Sequence, residues 1–375
     1  MKSLAKIVAM GLVMSSVPVM GAWAEDLKVT DRNLERQNDK TFMNKWDWTS
    51  DYRYHQHAYT VGKDNHKTDT MDYHNVTIVM QNKYADPDVV NGYNDPSLVD
   101  SWKDKWSSNA LINEFEYKYH FSADGNVFIK NDVIAPKSTN AVYTYAGDRD
   151  IAIDFSQAHS VVVIANGNNK SGSQALTAKN GGSIAIKTNE IDGFTKIIGD
   201  VDLKRSSTPA GTLTMDLNNA KSYWYGNEKS VGNLQLTIRK GAEWIYTTGE
   251  KSDSGESYTT GKSISKVTLK NGGIINLRNA DVQKKFAEVN NDKELKSKEF
   301  GALHMYDNGD HRYVQIGTLN GNGGIFKVDL KYTAGDDKAI TSTDTVKEDS
   351  DYIYITQSGE GKHDVQFEAD KANLD

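Results

Sequence analysis

Lys270-Asn271-Gly272-Gly273-Ile274-Ile275-Asn276-Leu277 reads as the end of one strand, a tight turn and the start of another. Asn-Gly and Gly-Gly supply the positive φ angles that such turns require at little steric cost. The same unit stands at Lys179-Asn180-Gly181-Gly182-Ser183-Ile184-Ala185-Ile186 and, more loosely, at Gly321-Asn322-Gly323-Gly324-Ile325-Phe326-Lys327-Val328. A fourth copy, Arg239-Lys240-Gly241-Ala242-Glu243-Trp244-Ile245-Tyr246, keeps a single glycine. The recurrence predicts equivalent turns, with Asn180, Asn271 and Asn322 bonding nearby turn backbone or stacking into ladders.

A second echo lies beside the first. Leu213-Thr-Met-Asp-Leu-Asn-Asn-Ala-Lys-Ser-Tyr-Trp-Tyr225 returns a short way along the chain as Leu234-Gln-Leu-Thr-Ile-Arg-Lys-Gly-Ala-Glu-Trp-Ile-Tyr246. Each is an alternating strand, a turn and an aromatic strand, and the distance from Leu213 to Leu234 suits one coil of a solenoid whose apolar row is buried by the next coil. From Ala141 onward similar runs recur: Ile151–Phe155, Val161–Ile164, Leu213–Leu217, Leu234–Ile238, Val267–Leu269 and Ile325–Val328. Their period is that of strands, not of helices. At ~20–25 residues per coil, residues 141–375 predict eight to ten coils. A plain β-meander or sandwich would give similar alternation.

Two stretches break the pattern. Asp95-Pro96 opens Ser97–Phe115, which has helix-start chemistry and Leu98, Trp102 and Trp106 at helical spacing. Ala280–Phe300, with Val282, Phe286 and Val289 among lysines and glutamates, predicts a surface helix inserted between coils. Gly249–Gly261 predicts a solvated loop.

At the N-terminus, Lys2 and Lys6 flank an apolar run, Ile7–Met20, followed by Ala22-Trp23-Ala24. That is the pattern of an export signal cleaved after Ala24, which places the remainder at the cell surface or outside the cell. The mature chain then carries a formal charge of -9 in place of -7. With no basic patch, nucleic acid is not an expected partner. Cysteine is absent, so stability must come from packing and backbone hydrogen bonds in a compartment where disulfides would persist.

Taken together, Leu213–Tyr225, Leu234–Tyr246, Gly317–Leu330, Gly335-Asp336-Asp337 and the late strands Tyr352–Ile355 and His363–Phe367 resemble the pertactin-like passengers of autotransporters. The likeness covers residues 200–375 and is compositional before that. It implies an all-β fold, a right-handed parallel β-helix or solenoid with small helical insertions. The implied division is a signal peptide (1–24), an N-terminal cap or aromatic-rich subdomain (25–140), a stalk (141–316) and a C-terminal, autochaperone-like folding unit (317–375). The family also implies an outer-membrane β-barrel translocator as partner and adhesion to a host glycan or matrix ligand as role. No amphipathic barrel strands precede Asp375, so the barrel is expected on a separate chain, on a continuation of this one, or not at all.

In the C-terminal unit, Leu319, Ile325, Val328, Leu330, Ile340, Tyr352, Tyr354, Val365 and Phe367 form a dense apolar set, expected to nucleate folding. Alternation assigns Phe326, Val328 and Leu330 to the interior.

Chemistry-bearing groups are few. Asp253-Ser254-Gly255, with His120 and Asp148 or Asp154 upstream, has the order of a trypsin-like triad, yet Ser252 stands where such proteases have glycine and small residues do not precede His120. His55 and His57 share a strand face, with His66 and His74 downstream, as a zinc or nickel site would need. Asp148, Asp150 and Asp154 could bind calcium or serve a β-helical polysaccharide lyase or glycosidase. Each has a plainer reading as loop or solvated strand, so no catalytic, cofactor or metal site, no cofactor and no enzymatic activity is expected. The leading alternative is a secreted β-helical carbohydrate-active enzyme. The sequence predicts a monomer.

Overall fold

The computed structural model describes residues 26–33, 55–60, 70–81, 107–114, 120–132, 138–146, 152–165, 173–203, 210–230, 232–247, 266–292, 312–330 and 351–369. Their strands form three all-parallel sheets of ten, six and nine strands, here A, B and C. As far as Glu228–Ser230 the chain visits C, A and B in turn, and the described strands after it alternate between C and A, so each strand pairs with its counterpart in the adjoining circuits. Ala152–Phe155 (C), Ser160–Ala165 (A) and Ser173–Lys179 (B) make one such circuit. This is an all-β arrangement consistent with a parallel β-helix.

Register makes the interior explicit. In sheet A one column runs Val29, Ile78, Ile129, Val163, Ile197, Trp224, Trp244, Ile275, Phe326, Val365. In sheet C another runs Met71, Phe121, Ile153, Ile184, Leu213, Leu234. Parallel pairing without slip stacks like on like, so each inward side chain is covered by the next circuit. Trp224 and Trp244 lie face to face at 4.5 Å and 6°. Their indole N–H groups donate to the Gly199 and Gly226 carbonyls, each at 3.0 Å. The expected pairing of Leu213 with Leu234 is the observed register.

Several expectations change. From residue 141 onward sheet A has seven described strands, not the eight to ten coils expected, because later circuits carry insertions: Lys266 pairs with Thr318 although a whole helix, Asn279–Asn291, lies between them in the chain. Ser107–Glu114, within a stretch expected to be a loop or cap with helix-start chemistry, is a strand of sheet B. Helix-start chemistry is local, and it is overridden where Leu111 joins the buried column Val142, Leu176, Val201. Sheets A, B and C cross residue 140 without a break, for Ser107–Glu114 pairs with Ser138–Tyr145.

The Asn-Gly units also divide. Asn271 and Asn322 lie in stacked corners between sheets C and A, where Asn271 N–H donates to the Asn322 carbonyl at 3.0 Å. Asn180 is at a different corner, between sheets B and C, so its turn is not equivalent to theirs. The shared signal is local: Asn180 and Asn271 both adopt positive φ, 49° and 50°.

The one described helix, α1 (Asn279–Asn291), follows Ile274–Asn276 and matches the first half of the expected surface helix. Residues 293–300 lie outside the described residues, as do Gly249–Gly261 and the signal segment.

Candidate functional site

Among the sequence candidates, Asp148, Asp150, His66 and Ser254 lie outside the described residues, and the side chains of His55 and His57 do too. His120 stands on sheet C in register with Thr70 and Ala152. Asp154 accepts the Ser156 N–H at 2.7 Å, an Asx turn closing its own strand end. His74 Nδ1 lies 2.7 Å from Asp124 on an exposed corner. Among the described residues no group of three or more His, Asp or Glu is placed to hold a metal ion.

What the structure builds instead is surface. The middle of sheet A, from Ser160–Ala165 to Glu243–Tyr246, is covered on its outer side as well as its inner one. Val162, Ile164, Ile198, Tyr223, Tyr225 and Ile245 form a second apolar cluster with Val282 and Val289 of α1, flanked by Phe286. Positions 282, 286 and 289 share one face of a helix, which is why α1 can lie on this strip. Lys285 Nζ sits 5.0 Å from the centre of the Tyr223 ring, and burial pushes the Tyr223 phenol pKa up. The sequence carried a signal: Val161–Ile164 is an unbroken apolar run, as strands buried on both faces are.

The helix start is capped from another circuit. Arg278 gives no side-chain cap, and the Asn279 N–H donates to Asp329 Oδ2 at 2.7 Å. Around this point four segments are tied. Asp351 accepts the N–H groups of Arg312 and Asp329, both at 2.7 Å. The fully buried Arg312 donates to the Leu277 carbonyl at 2.9 Å and to Asn279 Oδ1 at 3.1 Å. Burial raises the Asp351 pKa to about 6, against the two amide bonds that lower it.

A second polar cluster marks the corner between sheets C and A. Arg239 donates bidentately to Asp216 at 3.1 and 2.8 Å, and to Glu190 at 2.7 Å. Lys240 reaches the other Glu190 oxygen at 3.1 Å. Bonding to Arg239 first, and then to Lys240, holds the Glu190 carboxyl down to about 2. Beside it Ile191 is 93% exposed.

Four of the five exposed large hydrophobics among the described residues fall on the last circuit: Tyr354, Ile355, Val365 and Phe367. Val365 stands over Phe326, Phe367 over Val328 and Ile355 over Ile316, all at interior positions. The dense C-terminal set expected from sequence is therefore split. Leu319, Phe326 and Val328 are buried, Ile325 and Leu330 are half-buried, and Tyr354, Val365 and Phe367 are exposed. Ile340 lies outside the described residues.

No known family model, no curated protein and no solved structure matches this chain.

Proposed function

We propose that this chain is the elongated passenger of an exported, autotransporter-like surface protein. It is a right-handed β-helical stalk that displays contact surface without catalysing a reaction. The observation that supports this best is the sheet A column from Val29 to Val365, ten residues in unbroken register. A column of that kind serves an elongated stack, about 45 Å along its axis at the usual strand spacing. Right-handed winding follows from the strong preference of parallel crossovers. The absence of cysteine and the signal pattern at residues 1–24 suit secretion through a pore, with a β-barrel as translocator and a host glycan or matrix component as ligand.

The test is expression in a two-membrane bacterium, followed by N-terminal sequencing and protease treatment of intact cells. Cleavage after Ala24 and digestion from outside support the proposal; an unprocessed chain in the cytoplasm overturns it. Ser254→Ala should leave processing and hydrolysis of casein unchanged, whereas loss of a measured activity would favour the protease alternative.

A further inference from the structure

Helix α1 lies on the stack without being part of it. Ile274–Asn276, the strand before it, pairs with Glu243–Tyr246 on one side and Gly324–Leu330 on the other, so the ladder of sheet A closes without the helix. Val282 and Val289 belong to the outer apolar cluster, separate from the interior one that holds Trp224, Trp244 and Ile275. The two ends of α1 are held unequally. Its last turn has no basic residue, and Glu288 and the C-cap Asp292 carry the wrong sign of charge for that end of a helix. Its first turn is tied to other circuits: Asp329 takes the Asn279 N–H, and Arg312 bonds the Leu277 carbonyl and Asn279 Oδ1. Asp351 makes this anchor possible, because it accepts the backbone N–H groups of both Arg312 and Asp329. The charges acting on Asp351 are Asp329, which opposes its ionisation, and Arg312, which favours it. Around the helix start stand Arg278 at the N-cap, and Asp281 and Glu243, which lie 3.8 and 3.9 Å from Lys327.

We propose that α1 is a strap that opens as one unit while the stack beneath it stays folded, with Asp351 as its latch. Ionisation of Asp351 loosens the anchor, and the strap lifts from the outer strip of Tyr223, Tyr225 and Ile245. A helix of 13 residues is marginal by itself in water, so the lifted strap loses its helical hydrogen bonds. Opening brings Asp351 into water, where its pKa falls from about 6 to the ordinary 3.8. The closed state therefore binds the proton more tightly, and opening becomes easier as pH rises through that window. Between about pH 5 and about pH 7.5 the opening constant should grow about tenfold.

The test is amide exchange on the full chain, followed by mass spectrometry at those two pH values, with the intrinsic dependence of exchange on pH divided out. Peptides from Asn279–Asn291 should be less protected than Tyr223–Gly226 and Glu243–Tyr246, and they alone should lose about tenfold in protection at the higher pH. Asp351→Asn should abolish that pH dependence. Val289→Asp should leave α1 open at both pH values, with the strands beneath still protected and anilinonaphthalene sulfonate bound to the uncovered strip. Exchange of α1 in one step with Glu243–Tyr246, or loss of strand protection in Val289→Asp, would overturn the strap. Equal protection of α1 at both pH values, or a pH dependence that survives Asp351→Asn, would overturn the latch.

Discussion

Trp244→Ala removes one member of the interior indole pair. The side chain is 1% exposed, stacked on Trp224 at 4.5 Å, and donates to the Gly226 carbonyl at 3.0 Å. Truncating a buried Trp to Ala costs about 3–5 kcal/mol through lost transfer energy and the cavity left behind. Loss of stacking adds about 1 kcal/mol, and an acceptor left without its donor adds about 1 kcal/mol more. The expected loss is about 5–7 kcal/mol, a large part of the stability of an ordinary domain. Trp244→Phe keeps a ring in the column and loses the N–H, so about 1–2 kcal/mol is expected. Because the two indoles touch, Trp224→Ala combined with Trp244→Ala should be less costly than the sum by about 1 kcal/mol. Urea unfolding followed by far-ultraviolet circular dichroism gives the free energies. Amide exchange in Thr212–Leu217 and Lys266–Lys270 shows whether the damage spreads to neighbouring circuits, as nearest-neighbour coupling requires. A loss below about 1 kcal/mol for Trp244→Ala would refute the buried column as the source of stability.

Three further outcomes are expected. Asp351 has its pKa raised from 3.8 to about 6, so the folded state holds its proton more tightly than the unfolded one. Its contribution is fully present below pH 3.8 and is lost as pH rises to about 6, by roughly 2–3 kcal/mol; Asp351→Asn should remove that slope from the stability–pH curve measured by urea unfolding. Gly273→Ala would place a methyl 2.2 Å from the Ile238 carbonyl oxygen on the preceding circuit, where backbone must yield; a thermal melt should show a loss of about 2 kcal/mol or more. Arg239→Ala should cost at least about 1 kcal/mol, and high salt should reduce only the share from the half-exposed Glu190, since the pair with Asp216 is partly buried and screened less.

Much of the fold was legible because strand and turn chemistry is local. The alternation in Leu213–Leu217 and again in Leu234–Ile238 predicted one circuit of a stack, and Leu213 pairs with Leu234. Val282, Phe286 and Val289 predicted α1 without naming what it covers. The candidate chemical residues were legible only as residue types. His74 meets Asp124 and Asp154 closes a turn, and neither partner follows from the sequence motif that drew attention to the residue.

Local sequence is enough to specify that the chain is strand-rich, where Asn-Gly turns fall and which residues of a strand share a face. Those properties depend on φ preferences and on a two-residue period, both set within a few neighbours. It took the fold to show that Asn180 and Asn271, alike in sequence, turn different corners, and that Ser107–Glu114 is a strand despite a helical lead-in. It alone decided that the middle of sheet A is covered on both faces, that Arg312 is buried among carbonyl and carboxamide acceptors, and that Val365 and Phe367 stand uncovered. Each of these depends on what the adjoining circuit presents, and that circuit is distant along the chain, as Trp244 is from Trp224 and Thr318 from Lys266. At such separations burial and register outweigh the local preferences by which a sequence is read.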